Sequence, residues 1–434
     1  MSALQHNTSE RIDSLDLLRG MAAFAVMVPH FFMYYLRDAA TTAEIVSVTA
    51  VEVFFVLSGF VLGPQIVLCA ERRDWLTVRT FLVRRWMRTI PSYLVALLAI
   101  SVIFGGLGSG DFFRYAAYVQ NLFSQYNVRD YFPVAWSLSV EEWYYVAFPP
   151  FLLVYVKLTK GTGEWFQYAC ATVLLITCIS LIRFVYADTA DWGAQVRRVV
   201  VFRIDSIAYG FLLYLVLQRV KFEWSLRLGS LAFLILATAT VVLIKVNDEM
   251  LTNDAVWLRH IHPFASAAFG VSTLVFFLSL NSLFQGPGRR AVCSYLGRIS
   301  YPMYLFHLAV LYGLARVLPQ DNAAWHFLLY VATVMLFSTA FYHGFEKPIL
   351  AMRPRYPHLA ATGVAPIPIP NGPRDCDSKS RCAGSLRNWQ SQNLVIKPIT
   401  NSTFVVGKEP EVKFDPGVDC PVERQKGLEK IGAA

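Results

Sequence analysis

Apolar positions in this chain gather into long, nearly unbroken runs, without the polar stripe that marks a half-exposed helix of a soluble domain. Ten runs predict membrane-crossing helices: residues 15–36, 46–69, 90–108, 134–158, 166–187, 199–218, 226–245, 261–284, 296–317 and 324–346. At about 1.5 Å per residue, a run of about 20 residues spans the roughly 30 Å hydrocarbon core. Residues 112–123 are apolar but too few to cross, which predicts a re-entrant or interfacial helix. The expected fold is therefore all-α, a polytopic membrane protein with about ten transmembrane helices and both termini on one side.

Charge orients this array. Basic residues crowd the segments after the even-numbered runs, most densely at Arg72, Arg73, Arg79, Arg84, Arg85 and Arg88 and again at Arg289, Arg290 and Arg298, whereas acids outnumber bases on the opposite side. The positive-inside rule then makes both termini cytoplasmic and the protein a multi-pass component of the inner (plasma) membrane. Three parts are expected: a cytoplasmic segment 1–14, a transmembrane domain 15–346, and a cytoplasmic tail 347–434. Beyond residue 352 the tail is rich in Pro, Asn, Ser and charge, a composition unsuited to a core, so disorder is expected there.

Composition excludes some function classes. With 55% hydrophobic and 16% charged residues, the chain has too little charged surface for a soluble globule. Its net charge of +9 is already explained by topology, so no nucleic-acid partner is expected. The seven cysteines show no CxxC pairing, and neither a metal site nor a disulfide framework is expected.

The first run holds the residues that fit lipid least. Arg19 and His30 are eleven positions apart, about three helical turns, and so share a face with Ala23 and Met27. Arg19 is near enough to the end to act as an anchor that reaches out of the membrane. His30 lies about 9 Å in from the other end, too deep for its short side chain to reach water, and ionisable groups at such depth usually face a bundle interior and do work. Comparable depths are expected for Glu52, for Glu141 and Glu142, for Arg203 and Asp205, and for the deeper His307. Adjacent positions on a helix diverge by about 100 degrees, so only one of Glu141 and Glu142 can face a given site. Taken singly, each could serve as packing cement, Arg203 and Asp205 by pairing with Glu141 or Glu142, and His307 by bonding a carbonyl. Together they suggest one polar layer.

Histidine and carboxylate in a dry interior suit hydroxyl acylation. A neutral imidazole takes the alcohol proton while a carboxylate orients the ring and stabilises the imidazolium. The usual donor, acyl-coenzyme A, is a cytoplasmic polyphosphate that needs a cationic dock, and Arg84, Arg85 and Arg88 offer one beside their topogenic role. A proton-coupled transporter or exporter of a glycan or small molecule could use the same groups as a relay. Transporters more often show two related halves, and no such repeat is visible.

In several stretches the sequence resembles the acyltransferase 3 family of membrane proteins. These are Leu15-Asp16-Leu17-Leu18-Arg19-Gly20 followed by His30, Phe54-Phe55-Val56-Leu57-Ser58-Gly59-Phe60, and Arg84-Arg85 before Pro91. Trp136-Ser137-Leu138-Ser139-Val140-Glu141-Glu142-Trp143-Tyr144 follows, then Arg203-Ile204-Asp205 before Gly210, Leu296-Gly297-Arg298-Ile299-Ser300-Tyr301 with Tyr304 and His307, and Glu346-Lys347-Pro348. The resemblance implies a ten-span fold that moves an acyl group, typically acetyl, from acyl-coenzyme A to hydroxyls of sugars and related acceptors. His30 would be catalytic and Arg19 functionally important, with Glu141 or Glu142 as the assisting carboxylate. Glu52, Ser58, Arg203, Asp205, Tyr304 and His307 would then contact substrate, and Arg84, Arg85 and Arg88 the acyl-coenzyme A. The expected partners are the lipid bilayer, the acyl donor as a substrate rather than a resident cofactor, and a carbohydrate or glycolipid acceptor.

Overall fold

A computed structural model describes residues 12–36, 40–124, 132–159, 163–186, 195–220, 226–252, 258–318 and 323–356. Every regular element among them is helical: α1 (Asp13–Tyr35), α2 (Ala40–Arg72), α3 (Trp75–Phe104), the short α4 (Gly110–Ala116), α5 (Ala135–Leu158), α6 (Glu164–Tyr186), α7 (Asp205–Arg219), α8 (Leu226–Thr252), α9 (Leu258–Ser279), α10 (Pro287–Val317), α11 (Ala323–Phe341) and α12 (Lys347–Ala351), the last two joined by a π turn (Tyr342–Glu346). Seven helices are long and apolar enough to cross a membrane on that ground alone: α1, α2, α3, α6, α8, α9, and α11 with its continuation. Helices α5, α7 and α10, also expected to cross, do not meet that test. The 15 residues of α7 reach only about 22 Å, while α5 is diluted by Glu141 and Glu142 and α10 by Arg298, His307 and Arg316.

Burial sorts the helices into a polar-bearing centre and an apolar periphery. Helix α1 packs against α2, α9 and α10, and α2 against α1, α3, α5, α7 and α9. The peripheral helices turn large apolar side chains outward: Leu181, Phe184 and Val185 on α6, Phe233, Leu234 and Val241 on α8, Leu328 and Leu336 on α11. A water-soluble surface rarely carries so continuous an apolar cover, which here faces lipid in a multi-pass membrane protein.

The arginine-rich segment after the second run is not a loop. Helix α2 continues through Arg72 and α3 starts at Trp75, so only Arg73, in the left-handed region at φ 53°, and Asp74 separate them. Asp74 caps α3 by accepting the Thr77 amide at 2.7 Å and the Thr77 hydroxyl at 2.9 Å, which lets the helix begin about four turns earlier than its apolar run. Arg79, Arg84, Arg85 and Arg88 therefore ride on α3 itself. The predicted interfacial helix appears as α4, shorter than expected and capped by Ser109. Of the expected tail, residues 347–351 are helical, and residues 357–434 lie outside the described residues.

Candidate active site

Two cavities share a wall in the middle of the bundle. The one nearer the N-terminal end of α1, labelled inner for that position, has about 80 Å³ and is lined by Arg19 of α1, Ser58 of α2, Arg85 and Arg88 of α3, Glu141 of α5, and Tyr301 of α10, among others. The outer, of about 320 Å³, is lined by His30 of α1, Glu44 of α2, Trp136 of α5, Tyr312 of α10, and the pair Arg197 and Arg198 that precedes α7. Val51 and Tyr304 line both. The Tyr304 hydroxyl is held in this partition by Ser137 Oγ at 2.6 Å and by donation to the Val134 carbonyl at 3.1 Å. Arg19 and His30 do lie along one face of α1, but that face runs past the partition, and the two residues open into different chambers.

His30 is oriented by its own helix. Its Nδ1 lies 2.7 Å from the Val26 carbonyl oxygen. Because a carbonyl only accepts, Nδ1 carries the proton and Nε2 is left as the basic nitrogen. His307 is built in the same way, with Nδ1 donating to the Tyr304 carbonyl at 2.8 Å and Nε2 buried without a partner among the described residues. The two rings lie 5.0 Å apart, centre to centre. His307 is fully buried and lines neither cavity.

Neither expected carboxylate orients His30. Glu141 belongs to the inner chamber, where it accepts from Ser58 Oγ and the Tyr145 hydroxyl and lies 3.9 Å from Arg85. Glu142 is buried, and its Oε2 has no hydrogen-bond partner among the described residues. The reason is angular: the face of α5 that reaches the cavities meets the arginines of α3, not α1. The carboxylate that shares the chamber with His30 is Glu44, which sequence reasoning passed over as a loop residue. It lies 2.9 Å from Arg197 and 3.8 Å from Arg198. Asn121 fixes this arginine pair by donating to the Arg198 and Trp136 carbonyls at 2.6 and 3.0 Å. A usable signal was present, since two adjacent arginines on the acid-rich side run against the topogenic trend.

Glu52, Arg203 and Asp205 line neither cavity and form ion pairs within the bundle. Glu52 is ion-paired to Arg203, both buried. Asp205 receives both terminal nitrogens of Arg183, at 3.1 and 2.9 Å, and Arg183 is a buried partner from α6 that the sequence reading did not single out. In neither pair is Glu141 or Glu142 the partner.

On the inner side Arg85 also donates to the Tyr145 hydroxyl at 3.0 Å, with its guanidinium 4.6 Å from that ring. Arg84 donates to the Pro354 carbonyl at 2.6 Å. Among the described residues no group of three His, Cys, Asp or Glu side chains comes together as a metal site. The arrangement supplies an acceptor for one proton in the outer chamber and a cluster of anion-binding donors in the inner one.

A family model for an acyltransferase domain matches residues 12–343. The chain is 23% identical over 378 residues to a Staphylococcus aureus protein provisionally named an O-acetyltransferase, covering 78% of this chain and 57% of that one. It is 26% identical over 379 residues to the Bacillus subtilis protein YrhL, provisionally named a peptidoglycan O-acetyltransferase, covering 80% and 56%. It is 28% identical over 167 residues to the peptidoglycan O-acetyltransferase OatA of Listeria monocytogenes, covering 35% and 25%. The chain thus spans little more than half the length of these relatives at most. No solved structure matches.

Proposed function

The chain belongs to the acyltransferase 3 family, and from that membership we propose that it is an O-acyltransferase of the plasma membrane, taking an acetyl group from cytoplasmic acetyl-coenzyme A and passing it to a carbohydrate hydroxyl in the outer chamber. The observation that supports this reading is the pair of cavities sharing Val51 and Tyr304, with Arg19, Arg85 and Arg88 lining one and His30, alongside Arg197 and Arg198, the other. Phosphates of the donor engage Arg85, Arg88 and Arg19 on the inner side, and the thioester end reaches the partition. His30 Nε2 accepts the proton as the acceptor oxygen attacks the thioester carbonyl. The coenzyme A thiolate leaves and takes that proton back from the imidazolium, so the products are an ester and the free thiol. With Nδ1 already donated to Val26, no carboxylate is required to select the tautomer. Cell-wall glycan is the first acceptor to try, given the names of two relatives.

The test is acetyl transfer by protein reconstituted in liposomes with acetyl-coenzyme A inside and soluble glycan fragments outside. His30→Ala should lower the rate by about 10²–10⁴-fold at unchanged protein level, the span expected for loss of a general base. Transfer by His30→Ala at the parent rate would overturn the assignment of the base. Failure of the parent protein to use acetyl-coenzyme A in either membrane orientation would overturn the donor.

A further inference from the structure

The segment after α12 returns to the arginines of α3. Arg84 Nη1 donates to the Pro354 carbonyl at 2.6 Å, its guanidinium carbon lies 5.2 Å from the Tyr356 ring centre, and the Tyr356 hydroxyl reaches Gln65 of α2 at 3.5 Å. This fastening brings Arg353 beside Arg84, Arg85 and Arg88. Nε and Nη2 of Arg353, and Nε of Arg85, are buried without hydrogen-bond partners among the described residues. The acids at hand are Glu141, engaged by Ser58, Tyr145 and Arg85, Glu142 beside Arg85, and Glu346, which accepts from Ser92 Oγ at 3.0 Å and faces Arg88 and Arg353. Burial, with the charges of Arg88, Arg85 and Arg84, pulls the Arg353 guanidinium down to about 9. Arg353 and Arg85 thus keep unused donors among four guanidinium groups that three carboxylates offset only in part, an arrangement that attracts a further anion.

We propose that Arg353 is a donor-binding residue, and that with Arg84, Arg85 and Arg88 it forms a phosphate site for the nucleotide end of the acyl donor, closed on one side by residues 353–356. The proposal rests on the donor reading above and adds a residue from the far end of the chain. The planar fork of arginine matches phosphate bidentately, and the unpaired Nε and Nη2 of Arg353 are the edge that such a fork uses. Pro354 and Tyr356 both engage Arg84, which fixes the chain next to Arg353 against α3.

An anionic lipid headgroup presents the same chemistry, so the experiment separates the two sources. Full-length protein in nanodiscs, with and without phosphatidylglycerol, is titrated with acetyl-coenzyme A and with S-acetylpantetheine, which lacks phosphate. Arg353→Gln should raise the Kd for acetyl-coenzyme A about tenfold in both lipids and leave that for S-acetylpantetheine unchanged. Arg353→Lys, which keeps the charge and guards against a folding defect, should fall between. Equal affinity of parent and Arg353→Gln for acetyl-coenzyme A would overturn the proposal. So would a thermal stabilisation by phosphatidylglycerol that Arg353→Gln abolishes while donor affinity stays constant, which would make this a lipid site. If the parent binds neither compound, the donor reading itself fails, an outcome distinct from both.

Discussion

His30 and His307 meet ring to ring across α1 and α10, 5.0 Å between centres, and each is locked in one tautomer by a carbonyl one turn back on its own helix. Neither ring depends on a distant residue for its orientation. In the rotamers these two residues adopt, Nδ1 reaches a carbonyl three or four residues back, so each tautomer is set within its own helix. What the tertiary fold adds is the contact between the rings, and with it a floor for His30 that no single helix supplies.

This contact separates a positioning role for His307 from the substrate contact that the sequence suggests. His307→Phe keeps an aromatic ring against His30 and removes only the polar edge. It should lower kcat by about tenfold, leave both KM values unchanged, and cause no further loss in a His30→Ala background, because a residue acting through His30 has nothing left to act on. A raised acceptor KM would return His307 to the substrate.

Glu52 and Arg203 should behave as a structural couple. Removing one partner of a buried ion pair leaves the other charge uncompensated, at a cost of about 3–5 kcal/mol, whereas replacing both by apolar groups of similar size is often near neutral. Glu52→Gln is therefore expected to lower the melting temperature in detergent and the membrane level, and Glu52→Leu with Arg203→Met to recover most of both. An acceptor KM that rises in Glu52→Gln at parental stability would instead make Glu52 a binding residue.

The approach of α2 and α7 leaves no room for a methyl group. A Cβ at Gly59 would overlap the Ile207 carbonyl oxygen and stand 2.8 Å from the Phe211 amide nitrogen, and one at Gly210 would overlap the Val56 carbonyl oxygen and stand 2.9 Å from the Phe60 amide nitrogen. Small residues let helix backbones come this close in a membrane. Gly59→Ala and Gly210→Ala should each destabilise the protein by about 1–3 kcal/mol, as overpacking usually does, while Gly313→Ala, with open space around it, should not. Thermal melting of the three purified variants decides it.

By itself the sequence determined the solvent and the class of fold. Runs too apolar and too long for water must be helices in lipid, because only a helix satisfies every backbone group within one segment. It also carried His30 and Arg19 as anomalies, since a histidine deep in such a run is hard to explain as anything but an interior group. The motifs around them carried the family, and the model matching residues 12–343 agrees. Depth along a helix can be counted from sequence, but azimuth between helices cannot, and azimuth decided the rest. Rotation of α5 turned Glu141 toward Arg85 and away from His30, and the crossing of α2 with α7 joined Glu52 to Arg203. Arg183 and Glu44 stayed hidden because their partners stand about 20 to 150 positions away, brought into contact by packing that no local pattern encodes.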